Sequence, residues 1–220
     1  MKQGELDSVL QVIENPVRRR IIKRLSQEPC YALQLSKELG LGQPLVAKHL
    51  SIIESAGLVT SILESSPNGP ERKRYLLAKS ISITMDLAPN LFMERAVAFG
   101  AVPAKEKSSR EISLLNKRVR VALDNPDDRE RLALISEIVD DVDKRMRVVE
   151  EERVALLSVR NTAMTEAARI ASKLEGVDTK RVLFHILEEH DREVESISQS
   201  LNLREIVVRS ILEEFRDVFG

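Results

Sequence analysis

Apolar residues recur along this chain with helical spacing in some stretches and with alternation in others, and the changes of period divide it into elements. Residues 5–13 place Leu6, Val9, Leu10 and Ile13 on one helical face. Asn15-Pro16 then restarts the chain, a capping side chain followed by a proline in the first turn. Residues 17–26 turn Val17, Ile21, Ile22 and Leu25 inward and Arg18, Arg19, Arg20, Lys23 and Arg24 outward. That basic run reads either as a solvated helix face or as a set of phosphate contacts. Residues 31–39 carry Leu33, Leu35 and Leu39, Gly40-Leu41-Gly42 supplies a tight turn, and a helix follows at 43–56 with Val46, Leu50 and Ile53 on its inner stripe. Gly57 closes that helix as a left-handed cap. Two strands are expected at 58–65 and 72–78, joined through Ser66-Pro67-Asn68-Gly69-Pro70.

Helix, turn, helix and hairpin in this order form the winged-helix arrangement. The outer stripe of the 43–56 helix holds Pro44, Ala47, Lys48, Ser51 and Ser55, small residues with one cation. Such a face can enter a groove about 12 Å wide without obstruction, so it is expected to recognise double-stranded DNA. Arg72, Lys73 and Arg74 open the second strand, where a wing meets phosphates or a minor groove.

Farther on, Ile81, Ile83, Met85 and Leu87 alternate within 81–92 and predict a strand that Ala88-Pro89-Asn90 ends, and a short helix is expected at 91–99. Residues 100–109 are polar and rich in breakers, a domain boundary. Ile112, Leu114, Leu115, Val119 and Leu123 mark another short element. Asp124-Asn125-Pro126-Asp127-Asp128 then gathers the start signals of a helix, and no breaker follows until Gly176. Within it Leu132, Ile135, Val139, Val142, Met146, Val149, Leu156, Ala163, Ala167, Ile170 and Leu174 fall at alternating steps of three and four, with Arg153 and Arg160 at two core positions. A rod of roughly 70 Å cannot bury that stripe alone. The same helix of a second subunit is its natural partner, giving a homodimer through a coiled coil. The two arginines either pair with Glu150, Glu151 or Glu152 or mark a splayed seam. A parallel pair suits recognition helices about 34 Å apart on one duplex.

The final stretch has helix-turn-helix order again: 179–189 with Val182, Leu183, Ile186 and Leu187, then 194–201, a turn at Asn202, and 203–219 carrying Ile206, Val207, Ile211, Phe215 and Phe219. It is acidic and no wing follows, which points to packing or a partner protein rather than DNA. The fold class is therefore mainly α, with a winged helix-turn-helix at 1–92, a linker with short helices at 93–124, a long coiled-coil helix at 125–175 and a helical domain at 176–220.

Composition sharpens this reading. The 220 residues carry a formal charge of −1, but residues 1–80 hold about 12 Lys and Arg against about 8 acids, so the front is basic and the back acidic. Aromatics are 3% and charged residues 31%, the balance of long charged helices. No apolar run spans a membrane and the first residues lack a secretory core, so a cytoplasmic protein is expected. His49, His185 and His190 have no partner at metal-ligand spacing, and neither a phosphate loop nor a nucleophile elbow occurs. We expect no enzyme, metal or cofactor, and the effector is not encoded in any motif.

The runs ENPVRRRIIKRL, LSKELGLGQPLVAKHLSIIESAGLV and GPERKRYLL resemble the winged-helix domain of ArsR-type transcriptional regulators, over about the first 80 residues. The resemblance implies a homodimer on a pseudo-palindromic operator. It also implies DNA contact at Gln43, Pro44, Ala47 and Lys48, His49 near the backbone, and wing contacts at Arg72, Lys73 and Arg74. Along its whole length the chain is similar to archaeal sulfur-responsive members, in AKHL, the GP wing, LAPNLF at 87–92, the long helix and the terminal domain. Metal-sensing members use a cysteine pair before the turn, and the sulfur-responsive ones a CxxC redox switch. Here Gln27 stands at the first of those positions and Cys30 is alone, so no intramolecular disulfide can form. Cys30 is either a packing thiol or a sensor through a mixed or intersubunit disulfide. The alternative function is an interaction scaffold that keeps the winged shape without DNA binding.

Overall fold

The computed structural model describes residues 3–66, 69–100 and 109–216. They cluster into two compact units, residues 1–86 with 93–116, and residues 87–92 with 117–220. The first begins with α1 (Gln3–Ile13), α2 (Pro16–Leu25), β1 (Cys30–Tyr31), α3 (Ala32–Leu39), α4 (Gln43–Ser55), β2 (Val59–Ser66) and β3 (Gly69–Leu77). The strands form an antiparallel sheet in the order β1-β3-β2, with Cys30 opposite Tyr75 and Val59 opposite Leu77. Ile21, Leu35, Val46, Leu50, Ile53 and Tyr75 meet in one core between the helices and the sheet. Each large side chain buried there stabilises the unit by about 1.5–3 kcal/mol. Of the expected inner residues of α3, Leu33 instead lies exposed. The turn residues 67 and 68 lie outside the described residues, as does most of the predicted boundary at 100–109.

Asn15 caps α2 as expected, its Oδ1 accepting from the amides of Val17 at 2.9 Å and Arg18 at 3.2 Å. Part of the basic run that follows is engaged within the fold, while Lys23 stays exposed. Arg18 is buried, 8% exposed, and donates to the carbonyls of Val12 and Gln11, each at 2.6 Å. Arg19 donates to Ile13 O and Glu14 O, and Arg20 to Leu39 O at 2.9 Å. Arg24 bridges Glu38 and Glu28. The last carbonyls of a helix have no partner within it and sit at the negative end of its dipole, so Arg18 and Arg19 close the end of α1 and Arg20 that of α3.

Next come β4 (Ile81–Ala88) and β5 (Leu91–Ala98), paired as a two-stranded hairpin. The short helix expected at 91–99 is therefore a strand. Asn90 accepts a φ of 60° in the two-residue turn Pro89-Asn90, and Phe99 N donates to Ser80 O at 3.0 Å at the open end. Pairing with β4 overrides the helix preference of Met93-Glu94-Arg95-Ala96. Ile81 and Ile83 pack against the winged-helix core.

The remaining elements are α5 (Arg110–Leu123), α6 (Asp128–Ala171), α7 (Val177–Glu189), α8 (Val194–Leu201) and α9 (Glu205–Glu214). Asp127 caps α6 through Arg129 N at 2.8 Å and Glu130 N at 3.0 Å. The helix is 44 residues long, about 66 Å at the usual rise. Arg118 on α5 and Asp141 on α6 form an ion pair of 2.7 Å. Ile138, Met164 and Ala171 are the buried side chains of α6, whereas Leu132, Val139, Met146 and Leu156 stand exposed, Leu156 at 70%. Arg153 pairs within the helix with Glu150 at 3.0 Å. Helices α7 to α9 close on Val182, Ile186, Ile197, Val208 and Ile211. Val218 and Phe219 lie outside the described residues.

Candidate nucleic-acid interface

The site begins with the turn that aims α4. Gly40 has φ 66° and ψ 37°, the left-handed conformation that costs a residue without Cβ little. Leu41 N then donates to Ser36 O at 3.0 Å, and Ser36 Oγ donates to Leu41 O at 2.5 Å. These bonds fix where Gly42 ends and α4 starts. Val46, Leu50 and Ile53 anchor the helix in the core, with no exposed area. Gly57, at φ 68°, ends it, and Leu58 N donates back to Ile53 O at 3.2 Å.

With the inner stripe held, Gln43, Pro44, Ala47, Lys48 and Ser51 lie exposed together on the outer face of α4. Leu45 and Ile52 flank them, also exposed. The one acid of this helix, Glu54, accepts from Ser61 Oγ at 2.6 Å. It is thereby turned to β2, leaving the outer face without negative charge. His49 is half buried and its Nδ1 is sheltered without a partner among the described residues. Burial, then the neighbouring Arg18 and Lys48, hold its pKa below the ordinary imidazole value of 6.5. It is neutral at neutral pH and brings no charge to a phosphate.

On the wing, Arg72 stands opposite Glu64, Lys73 opposite Leu63 and Arg74 opposite Ile62. Alternation puts Arg72 and Arg74 on one side of β3 and Lys73 on the other, the side from which Tyr75 enters the core. Arg74 is engaged at the base of the wing: its Nη1 donates to Glu64 Oε1 at 3.2 Å, and Tyr31 donates its hydroxyl proton to Glu64 Oε2. The pairing raises the Arg74 pKa, while the hydrogen bonds from Tyr31 and Arg74 hold the Glu64 carboxyl below its usual range. Arg72 and Lys73 are exposed. Between the start of α3, the start of α4 and β3 lies a recess of about 560 Å3 whose walls include Tyr31, Gln34, Lys37, Gln43, Arg72 and Lys73. Gln34 and Lys37 were not singled out in the sequence. Their spacing of three on the side of α3 facing away from Leu35 is the signal that marks them.

Cys30 is fully buried beneath this surface, its Sγ 3.3 Å from Glu28 O, and burial raises its pKa. The thiol is therefore held protonated and shielded. Among the described residues no group of three His, Cys, Asp or Glu side chains could hold a metal ion, and no helix is long and apolar enough to cross a membrane.

Residues 15–61 match the profile of bacterial regulatory proteins of the arsR family. The uncharacterized HTH-type transcriptional regulator MJ0229 of Methanocaldococcus jannaschii is 34% identical over 86 residues, which is 39% of this chain and 88% of that protein. The HTH-type transcriptional regulator CmtR of Mycobacterium tuberculosis is 34% identical over 80 residues, 36% of this chain and 64% of that protein, so less than two thirds of its length is spanned. The solution structure of the same regulator, described as a cadmium metal-sensor, aligns over 34% of this chain and 72% of its own with a TM-score of 0.29. HlyU of Vibrio cholerae aligns at 22% identity over 36% of this chain and 84% of its own, with a TM-score of 0.32. On the coverage of the first of these relatives, and with the arsR profile on residues 15–61, the chain belongs to the HTH-type transcriptional regulators.

Proposed function

We propose that the protein is a dimeric, sequence-specific regulator that lays α4 in the major groove of an operator and rests its wing on the adjoining backbone. The observation that carries this is the outer face of α4: Gln43, Pro44, Ala47, Lys48 and Ser51 exposed together, with Glu54 turned away. Small side chains let the helix approach base edges, and Lys48 can donate to a guanine. Arg72, Lys73 and Lys37 supply phosphate contacts, while Arg74 acts through Glu64 to hold the wing.

Dimerisation through α6 is supported by its exposed apolar line. A second copy would cover that line. The resemblance to sulfur-responsive regulators is carried into this reading for architecture alone, with Cys30 in a packing role. Cadmium sensing, which describes CmtR, is not part of the proposal, because the sequence holds one cysteine and its thiol is sealed.

The test is binding to a pool of duplexes across salt. One sequence family should be selected, and affinity should fall as salt rises, because neutralised phosphates release counterions. Lys48→Ala should lower specific binding by about 1–3 kcal/mol. Arg72→Ala with Lys73→Ala should weaken all sequences alike. Failure to bind any duplex at moderate salt would leave the scaffold reading in its place.

A further inference from the structure

Helices α8 and α9 repeat the turn between α3 and α4 bond for bond. Asn202, at φ 52°, stands where Gly40 stands. Leu203 N donates to Ser198 O at 3.0 Å, and Ser198 Oγ donates to Leu203 O at 2.6 Å, as Leu41 and Ser36 do. Arg181 of α7 donates to Leu201 O at 2.6 Å, as Arg20 of α2 does to Leu39 O. Val208 takes the place of Val46 and is fully buried. The helix-turn-helix frame is therefore intact. Its outer face is not: Gln43, Pro44, Ala47, Lys48 and Ser51 become Glu205, Ile206, Arg209, Ser210 and Glu213.

That exchange keeps one cation, Arg209 at the place of Ala47, but adds the carboxylates of Glu205 and Glu213, which repel phosphates, and the apolar Ile206. Ile206 and Val177 are each 73% exposed, at the rim of a recess of about 370 Å3 between the start of α7 and α9, with Asp178, Thr179 and Ser210 in its wall. Asp178 pairs with Arg181, but among the described residues Glu205, Glu213 and Glu214 form no ion pair. Arg209 shares the face, and the exposed Arg204 stands just before Glu205. We propose that α7–α9 is a protein-docking module that receives a cationic amphipathic helix of a partner protein, whose apolar side chains seat between Val177 and Ile206 and whose Lys or Arg residues meet the glutamates. Charge complementarity selects this occupant over DNA, and the apolar rim over a free polycation. The inference does not depend on whether α4 reads DNA.

The probe is a synthetic amphipathic helix of leucine and lysine, titrated into the full chain by fluorescence anisotropy beside a matched peptide with glutamate in place of lysine. The lysine peptide should bind and the glutamate peptide should not. Val177→Ser with Ile206→Ser removes mostly exposed atoms, so the fold, checked by circular dichroism, should persist while binding weakens about tenfold. Glu205→Lys with Glu213→Lys should do the same, and Glu151→Lys with Glu152→Lys on α6 should change little. Equal binding by the face variants, or by both peptides, would overturn the proposal. So would a change of oligomeric state in the serine variant, which would make a second copy the occupant, or loss of duplex binding in it, which would make the module a DNA reader.

Discussion

Arg18 lies under the end of α1 with its guanidinium on the carbonyls of Val12 and Gln11. Arg18→Met keeps the stem and leaves the buried Val12 carbonyl unpaired, so urea unfolding should show a loss of about 1–3 kcal/mol. Residues 17–26 show that α2 is a helix and which side faces inward, but the destination of each arginine is set elsewhere. Leu39, which Arg20 caps, is 19 positions away, and nothing local in RRRIIKR signals it. His49 gives a pH prediction at the same scale. Unfolded, it titrates near 6.5; folded, lower. The unfolded chain then takes up the proton first, so its contribution to stability is full above about pH 6.5 and is lost as pH falls toward the folded value. Melting temperatures of His49→Gln should be flatter with pH across that window. Glu38 and Glu64, both held below the ordinary 4.5 by hydrogen bonds, act lower, losing their stabilising effect only as pH falls beneath that value.

At the scale of elements, the turn between α3 and α4 carries its conformation in its own residues, since Gly-Leu-Gly leaves room for a left-handed link. A Cβ added at Gly40 would meet nothing within 4 Å, so Gly40→Ala tests backbone strain alone. The expected cost is about 1 kcal/mol by thermal unfolding, with α4 misaimed only if the turn opens. The wing was legible for the same reason, through alternating strands and a cluster of turn formers. β5 was not. Its residues lack clean alternation, and its extended form comes from hydrogen bonding to β4 across a turn that asks Asn90 for a positive φ. The outer face of α4 was legible because a helix with one apolar stripe defines its opposite. The pairing of Arg74 with Glu64 was not legible, because it depends on the register of β2 against β3, which sequence does not display.

For the whole molecule, assembly through α6 is the testable issue. Val149 and Leu156 are exposed on the apolar line, so Val149→Asp with Leu156→Asp should leave each chain folded yet lower the sedimentation coefficient to that of one copy. Operator affinity should fall with it, since two half-sites joined in one particle gain from effective concentration. An unchanged coefficient would move the seam to another surface. The sealed sulfur of Cys30 has a use here. It is the chain's one thiol and lies in the winged-helix core, so the rate at which a maleimide reaches it reports the opening of that core alone, whatever α6 to α9 are doing. If operator DNA slows that rate, the slowing gives the stability that the duplex lends to the winged helix, without any label on the nucleic acid.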